Sequence, residues 1–299
     1  DVNGVYQSFS MLMLSEIARV DRKSPFLSST QRDRLVIIGT HFLTNLRDYR
    51  GFSDKVGWRH GVAHSSDLML QLALNPKITK AQLDTMLDAL ASQVSANEQH
   101  AYIHGESKRI AMAVLYIFLK KQHSVEDWHK WLSSVTTPSP FNQWQDVYKS
   151  EKGLTKLHNT QSFLFSLYAT IKASKNETLM QMVPNLEMAI KASSILFGKS
   201  TAEDLKSLDE DTFLSVFEGV PQFEMKKEDL SAGILDVLAE KTAVFESKSE
   251  ARRMMHSNAV SINKEKITED FQLSENDLLN GKYILAQKGK KNYFLIIVA

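Results

Sequence analysis

The sequence predicts a mainly α protein in which a helical N-terminal domain, α-solenoid or HEAT-like in kind, is followed by a small α+β domain. Two observations carry this prediction. Over residues 4 to about 190, apolar residues recur three and four positions apart, as they do along one face of a helix. From Val260 onward they alternate instead, as they do in a strand. We expect the helical domain over residues 1–184, a helical linker over 185–229 and the α+β domain over 230–299.

Proline and glycine separate the predicted helices of the first domain. The breaks fall at Pro25, Pro76, Gly105, a threonine- and proline-rich cluster over 136–140, and Pro184. Helices of roughly 12 to 20 residues fit between these breaks, a length that suits stacked antiparallel pairs. No repeat of fixed period is visible, so the solenoid prediction rests on the succession of helices alone.

The C-terminal domain is predicted to combine two helices with three strands. One helix lies around Ile234 and the other over residues 248–255, and residues 221–229 are expected to form a linker. The strands are predicted over residues 261–263, 282–287 and 292–298, with residues 288–291 as the hairpin loop between the last two.

The composition places the chain among folded proteins with buried cores, because 43% of its residues are hydrophobic and 24% are charged. The absence of cysteine excludes disulfides, thiolate metal sites and a cysteine nucleophile. The longest apolar runs, such as residues 110–119, are too short to span a membrane. We therefore predict no membrane contact and expect a cytoplasmic protein.

Basic residues cluster in the C-terminal domain around one predicted helix. Ser247 or Ser249 can cap that helix, and its N-terminus together with Lys248 would form an anion site. Arg252 and Arg253 follow one turn later and could bind phosphate oxygens bidentately. Such contacts fix a protein on a nucleic acid without specifying bases. The alternative is a merely solvated basic face, which charge alone would favour.

The segment 247–263 resembles the signature of the S-four type of RNA-binding domain, which is found at the C-terminus of bacterial tyrosyl-tRNA synthetases. Residues 186–221 look like the linker that precedes this domain in the synthetases, and residues 280–284 and 290–293 fit the same family. Where the family usually has glycines after the helix, this chain has Ser257, Asn258 and Ala259, of which asparagine tolerates the left-handed conformation.

The resemblance implies a structured RNA partner, of which tRNA is one, bound outside any active site. The residues that it implies for RNA binding are Ser247, Lys248, Ser249, Arg252, Arg253, Asn258, Lys282, Lys288, Lys290 and Lys291. The nucleotide-binding motifs of the synthetase catalytic domain, HIGH-like and KMSKS-like, do not occur in the sequence. We therefore predict that the chain does not itself activate tyrosine, and we predict no cofactor.

A histidine-rich run in the helical part is the second candidate site. The region over residues 4–182 resembles a bacterial family of helical proteins of unknown function, which supplies an expectation of fold only. On a helix, His60, His64 and Asp67 would face one way and could ligate a metal or a phosphate. A cleft could be completed by Arg59, Glu106 and Arg109, with His104 nearby.

The alternative for this run is a patch of paired side chains. His64 would then pair with Asp67, and Arg59 or Arg109 would pair with Glu106. Two histidines and one carboxylate on a helix face are more often hydrogen-bonded structure than a metal site, so we predict no bound metal.

The two resemblances come from unrelated families, so the whole chain looks like a fusion. Our first hypothesis is an RNA-binding module attached to a helical scaffold. The second is that the helical domain is an uncharacterised enzyme that uses the histidine, aspartate and arginine cleft, with the RNA-binding domain appended naturally or by engineering. The sequence leaves the oligomeric state open.

Overall fold

Two compact units make up the computed structural model, one of residues 1–137 with 147–190 and the other of residues 138–146 with 191–299. The fold is mainly α, as the sequence predicted. The structure describes residues 4–96, 100–141, 144–196, 202–217, 219–289 and 292–299.

Helices dominate the first part of the chain. In chain order they are α1 (Tyr6–Lys23), α2 (Ser29–Asn45), α3 (Gly61–Ala73), α4 (Lys80–Val94), α5 (Glu106–Phe118), α6 (Val125–Val135), α7 (Trp144–Val147), α8 (Glu151–Ser174), α9 (Glu177–Met180) and α10 (Val183–Leu196). The predicted breaks at Pro25, Pro76, Gly105, 136–140 and Pro184 all fall between or at the ends of these helices.

Helices two apart along the chain form most of the main packing pairs of the first unit, and α5 packs on α8, three further along. Helix α1 packs on α3, α3 on α5 and α5 on α8, while α2 packs on α4 and α4 on α6. Leucine, isoleucine and methionine side chains fill the space between them, and Leu43, Leu68, Leu83, Ile110 and Phe163 are fully buried. Burying one such side chain contributes roughly 1.5–3 kcal/mol to folding, so this packing is what holds the helices in place.

A small hairpin interrupts the helices before α3. Strand β1 (Phe52–Ser53) pairs antiparallel with β2 (Gly57–Trp58). The prediction that His60 lies on a helix is therefore wrong by one residue, because His60 is the residue that precedes α3 and has a left-handed backbone with φ of 54°. Its side chain leaves the chain in a direction that helical spacing does not give.

The second unit contains a five-stranded sheet and several short helices. These are α11 (Ala202–Lys206), α12 (Glu210–Val216), β3 (Gln222–Met225), α13 (Ile234–Asp236), α14 (Lys248–His256), β4 (Val260–Ile262), β5 (Glu265–Lys266), β6 (Tyr283–Lys288) and β7 (Asn292–Val298). The strand order is β3-β7-β6-β4-β5, with β3 parallel to β7 and the other pairs antiparallel. The strands predicted over 261–263, 282–287 and 292–298 are confirmed to within one residue at each end.

Two predictions for the second unit need correction. Residues 222–225 are not linker but strand β3, and the sheet therefore begins before residue 230. Their partners are residues 295–298 of β7, so the pairing depends on a segment about seventy residues away and leaves only a short polar–apolar alternation in the sequence. The helix expected around Ile234 is a single turn that continues as a π-helical turn, Val237–Lys241.

The predicted boundary after residue 184 also falls inside an element, because α10 runs without a break from Val183 to Leu196. Pro184 lies in the first turn of that helix, where a missing N–H costs no hydrogen bond. Among the described residues, no helix is both long enough and apolar enough to cross a membrane.

Candidate nucleic-acid interface

Helix α14 begins at a serine cap, and the structure decides between the two candidates for it. Ser247 precedes the helix in extended conformation, and its Oγ accepts a hydrogen bond from the backbone N–H of Glu250 at 3.2 Å. Ser249 lies inside the first turn with an exposed side chain. The helix then packs its apolar side on the sheet through Ala251 and Met255, which are both buried. The basic residues are thereby left on the outer side.

A carboxylate already occupies the N-terminus of α14. Oε2 of Glu250 accepts a hydrogen bond from the backbone N–H of Glu246 at 3.2 Å. Its Oε1 lies 2.7 Å from Nζ of Lys288, at the end of β6. The hydrogen bond with Lys288 is the main reason why the pKa of the Glu250 carboxyl is lowered. The chain's own glutamate thus lies at the helix end where the sequence predicted an anion site.

Carboxylates also pair with two of the basic side chains of α14. Nζ of Lys248 lies 2.5 Å from Asp236 and 2.8 Å from Glu240, and these two contacts raise the pKa of the Lys248 ammonium. Nε of Arg252 donates to Glu269 at 2.7 Å. All of these groups are well exposed to solvent, so each pair is worth little free energy and can exchange for another anion.

The other predicted RNA-binding residues are spread more widely. Arg253 is exposed, and it forms no ion pair among the described residues. Asn258 adopts the left-handed conformation expected of it, with φ of 54°, just after α14. Lys282 lies 3.6 Å from Glu210, at the opposite end of β6 from Lys288 and therefore about 20 Å away along the strand. Lys290 and Lys291 lie outside the described residues.

One group in this unit was missed from the sequence. Asn263 and Lys264 form the two-residue turn between β4 and β5, with φ of 47° and 72°. Nζ of Lys264 donates to the hydroxyl of Tyr293 at 2.6 Å, and burial lowers the pKa of Lys264 to about 8. An asparagine directly after a β-type run is a hairpin signal that could have located this turn.

The histidine cluster of the first unit is held together by hydrogen bonds to backbone carbonyls. Nε2 of His60 donates to the carbonyl oxygen of His104 at 3.1 Å, and Nδ1 of His64 donates to that of Ser8 at 3.1 Å. The rings of Trp58 and His60 stack with their centres 4.6 Å apart. Burial lowers the pKa of both His60 and His64, so both imidazoles are neutral near pH 7.

The carboxylates of this cluster differ from the expected pairing. Arg109 forms an ion pair with Asp67 rather than with Glu106, and His64 bonds to Ser8 rather than to Asp67. Glu106 is buried at the start of α5, where its Oε2 accepts the backbone N–H of His104 at 2.9 Å. Its Oε1 lies 3.6 Å from Nε2 of His60. Spacing along one helix could not give these pairs, because Arg109–Asp67 joins α5 to α3 and His64–Ser8 joins α3 to α1.

Arg59 is buried, and its charge acts on Asp48. The hydrogen bond and charge of Arg50, and then the charge of Arg59, lower the pKa of the Asp48 carboxyl. Of the predicted cleft, the structure therefore brings together His60, His64 and Glu106 by ring and side-chain contacts, with the Arg109–Asp67 pair beside them. Within the described ranges, no group of three or more histidine, aspartate and glutamate side chains is placed to hold a metal ion.

Two family models match different parts of the chain. The first is described as Protein of unknown function (DUF2785) and matches residues 1–169. The second is described as Tyrosine–tRNA ligase SYY-like C-terminal domain and matches residues 212–296. The two halves thus come from different families, and the chain is a fusion of them, as the sequence predicted.

The curated relatives named here each match less than half of the chain. Tyrosine–tRNA ligase of Flavobacterium johnsoniae is 60% identical over 115 residues, which is 38% of this chain and 27% of the relative. Tyrosine–tRNA ligases of Flavobacterium psychrophilum and Parabacteroides distasonis are 46% and 48% identical over 148 and 130 residues, or 49% and 42% of this chain and 34% and 30% of theirs.

The chain therefore spans about a quarter to a third of the length of the relatives that it matches. The helical match is different in extent, because 169 of the 299 residues lie within it. A Tyrosine–tRNA ligase SYY-like C-terminal domain follows this helical part in the chain. Because the helical match covers more than half of its residues, the chain belongs to the family described as Protein of unknown function (DUF2785).

Proposed function

We propose that the second unit binds structured RNA of the tRNA type, and that the helical unit is a scaffold that carries this module in the cytoplasm. The observation that carries the proposal is the match of residues 212–296 to a tyrosine–tRNA ligase C-terminal domain, with α14 and its bases on the outside of the sheet. We do not propose aminoacylation, because the similarity covers only a minor part of the ligases.

The chemistry that supports RNA binding is exchange of one anion for another. Lys248 and Arg252 each hold a carboxylate at the surface, and Lys288 holds one at a less exposed position. Phosphate oxygens offer the same acceptor geometry with more charge. Arg253 can bind phosphate without breaking an ion pair, because it forms none among the described residues. Contacts of this kind position an RNA and do not select its sequence.

The test compares the wild type with the double variant Arg252→Ala/Arg253→Ala. The RNAs are a tRNA with a long variable arm and an unrelated hairpin, each at low and moderate salt. We expect the affinity for both RNAs to fall by similar factors. The slope of log affinity against log salt concentration should fall by about 0.7 to 0.9 for each lost phosphate contact. The double variant Lys226→Ala/Lys227→Ala is the matched control, because it removes the same charge next to β3, at the far edge of the sheet from α14's neighbour β4.

Unchanged affinity in the arginine variant, with an unchanged circular dichroism spectrum, would show that this face is only a solvated surface. An equal loss in the lysine control would show that net charge alone, rather than this face, attracts the RNA.

A scaffold of the α-solenoid kind is supported by the way in which the helices pack. In the first unit α1 packs on α3, α3 on α5, α2 on α4 and α4 on α6, each two positions further along the chain, which is how helical pairs stack in a solenoid. A one-dimensional stack of helices is expected to unfold in segments, and hydrogen exchange can test this. Hydrogen exchange that protects α5 and α8 while α1 and α2 open would support this architecture, and a single cooperative opening of all of them would contradict it.

For the histidine cluster we propose a structural role rather than an enzyme site. Its histidines bond to backbone carbonyls from other segments, Ser8 and His104, so they tie α1 and the start of α5 to α3. The Arg109–Asp67 pair adds a second tie between α3 and α5. Substitution His64→Ala should therefore lower the melting temperature. An unchanged melting temperature would return the cluster to consideration as the site of an enzyme.

A further inference from the structure

A cavity of about 160 Å³ lies in the first unit, where the end of α5 and the start of α6 meet α9 and α10. Three apolar side chains, Phe118, Val125 and Trp128, form part of its wall. The ring centres of Phe118 and Trp128 lie 5.2 Å apart, and Trp128 is buried. An apolar cavity of about 150 Å³ is large enough to hold benzene. The cavity therefore has the right size for one aromatic ring.

His123 belongs to the same wall and carries a ring nitrogen without a partner. Its side chain is only 4% exposed, and its Nε2 lies 2.7 Å from Oδ1 of Asp84. Burial opposes ionisation of Asp84, but hydrogen bonds from His123 and Lys80 outweigh it and lower the pKa of the carboxyl. An ionised carboxylate can only accept, so Nε2 of His123 is the donor in this pair. In the neutral imidazole Nδ1 is then an acceptor, and it is buried without a hydrogen bond in the described part of the chain.

The polar groups of the cavity favour a negatively charged ligand that carries a hydrogen-bond donor. Lys121 is in the wall, is exposed, and forms no ion pair among the described residues. The lining that the structure describes contains no aspartate or glutamate, so the ammonium of Lys121 can bind a carboxylate from a ligand. Nδ1 of His123 needs an N–H or O–H, because a buried acceptor without a partner costs free energy.

We infer that this cavity binds a small aromatic carboxylate that bears a hydroxyl group. The ring lies against Phe118 and Trp128, the carboxylate pairs with Lys121, and the hydroxyl donates to Nδ1 of His123. Each part of the ligand thus has its own partner, and each can be removed separately from the ligand or from the protein. The site does not depend on RNA binding by the second unit.

Ligand-observed nuclear magnetic resonance titration of the full chain with 4-hydroxybenzoate tests the inference, with benzoate and phenol as comparison ligands. We expect a Kd of about 0.1–1 mM for 4-hydroxybenzoate, which has about ten non-hydrogen atoms. Benzoate lacks the hydroxyl and should bind about 5- to 10-fold more weakly. Phenol lacks the carboxylate and should bind about 2- to 5-fold more weakly, because Lys121 is exposed.

Two variants and a control assign these contacts to the protein. His123→Phe keeps an aromatic ring and removes Nδ1, so 4-hydroxybenzoate should bind it no more tightly than benzoate does. Lys121→Gln should weaken both carboxylates about 2- to 5-fold and leave phenol unchanged. The matched control is Lys130→Gln on α6, which removes the same charge from a side chain that is 71% exposed and outside the cavity lining. It should bind all three ligands as the wild type does.

Three results would overturn the inference. The first is no binding of 4-hydroxybenzoate at concentrations up to about 10 mM. The second is an undiminished preference of His123→Phe for 4-hydroxybenzoate over benzoate. The third is an equal effect of Lys121→Gln and Lys130→Gln, which would leave net charge as the cause. If His123→Phe binds none of the ligands, the comparison of the two lysine variants decides the outcome alone.

Discussion

Glu269 accepts a hydrogen bond from Nε of Arg252 at 2.7 Å, and its other oxygen lies 2.9 Å from Nε2 of His256. One carboxylate thus bridges two residues one turn apart on α14. The arginine that is best placed to bind phosphate is therefore already engaged. Any RNA that binds this face must compete with the protein's own acidic groups, and this competition can be measured by removing them one at a time.

The substitution Glu269→Gln should strengthen RNA binding. It keeps the size of the side chain and removes the charge that holds Arg252. Because the pair is exposed and worth about 0.2–1 kcal/mol, we expect the affinity for structured RNA to rise between about 1.5- and 5-fold. Filter binding at low salt measures the change. Glu224→Gln on β3 makes the same change in net charge away from α14, and an equal gain in that control would rule out the specific competition.

Local sequence patterns predicted much of the fold. Helix α1 follows from its apolar spacing, and strands β4, β6 and β7 follow from their alternation. Strand β3 did not follow, since Gln222–Met225 becomes a strand only by pairing with the end of β7. In the same way, the short hairpin before α3 depends on tertiary contacts and gave no period in the sequence.

The candidate sites show the same limit. Basic residues of α14 could be identified from the sequence, because they lie within two turns of one helix. Their acidic partners could not, because Glu269 and Asp236 come from other segments that the fold brings beside the helix. In the helical unit, Arg109 forms its ion pair with Asp67 and not with Glu106, which is nearer in the sequence. The packing of α5 on α3 determines this pair.

The cap of α14 gives a second prediction. Ser247→Ala removes the acceptor of the Glu250 N–H and should destabilise the second unit by about 1 kcal/mol. Ser249→Ala, two residues later and exposed, should cost less than about 0.5 kcal/mol. Chemical denaturation followed by far-ultraviolet circular dichroism compares the two. A larger cost for Ser249→Ala would mean that the helix begins elsewhere.

The buried turn at Asn263 gives a third prediction. Its Oδ1 accepts the N–H of Leu285 at 2.9 Å, and its Nδ2 donates to the carbonyl of Asp277 at 2.6 Å. Asn263→Ala would leave both backbone groups without these partners, so we expect a loss of about 2–4 kcal/mol. Asn280 is the matched control, because it has the same left-handed conformation, φ of 49°, but is exposed.

Asn280→Ala should therefore cost only the conformational part, about 1 kcal/mol. Hydrogen exchange of the β6 amides would report both variants. Equal losses at the two positions would show that the hydrogen bonds of Asn263 contribute nothing beyond its backbone conformation.

The last prediction concerns the dependence of stability on pH in the helical unit. Burial lowers the pKa of His60 and His64 in the folded protein below the ordinary value of 6.5. Between the folded and the unfolded pKa, the unfolded chain binds more protons than the folded one, so the free energy of unfolding rises with pH. Stability is therefore fully present above about pH 7 and falls as the pH drops through 6.5 toward the lowered values.

Histidines can be separated from carboxylates by the pH window. The carboxyl groups with lowered pKa, such as Asp21 and Asp48, have ordinary values of 3.8, so their stabilisation is lost mainly below pH 5. A decline between pH 7 and pH 5 thus reports the buried histidines. Three of the four tryptophans of the chain, Trp58, Trp128 and Trp131, lie in the helical unit, so tryptophan fluorescence mainly follows unfolding of this unit.

The informative variant is His60→Gln/His64→Asn, whose new side chains cannot titrate. Each keeps an N–H near the backbone carbonyl to which the histidine donates, from Nε2 in His60 and from Nδ1 in His64. Its free energy of unfolding should change less between pH 7 and pH 5 than that of the wild type. His41→Asn, at an exposed position on α2, should keep the wild-type slope. If the double variant and the wild type lose stability equally over this window, the two histidines are not held neutral by burial, and the hydrogen bonds to Ser8 and His104 would not be the ties that we assign to them.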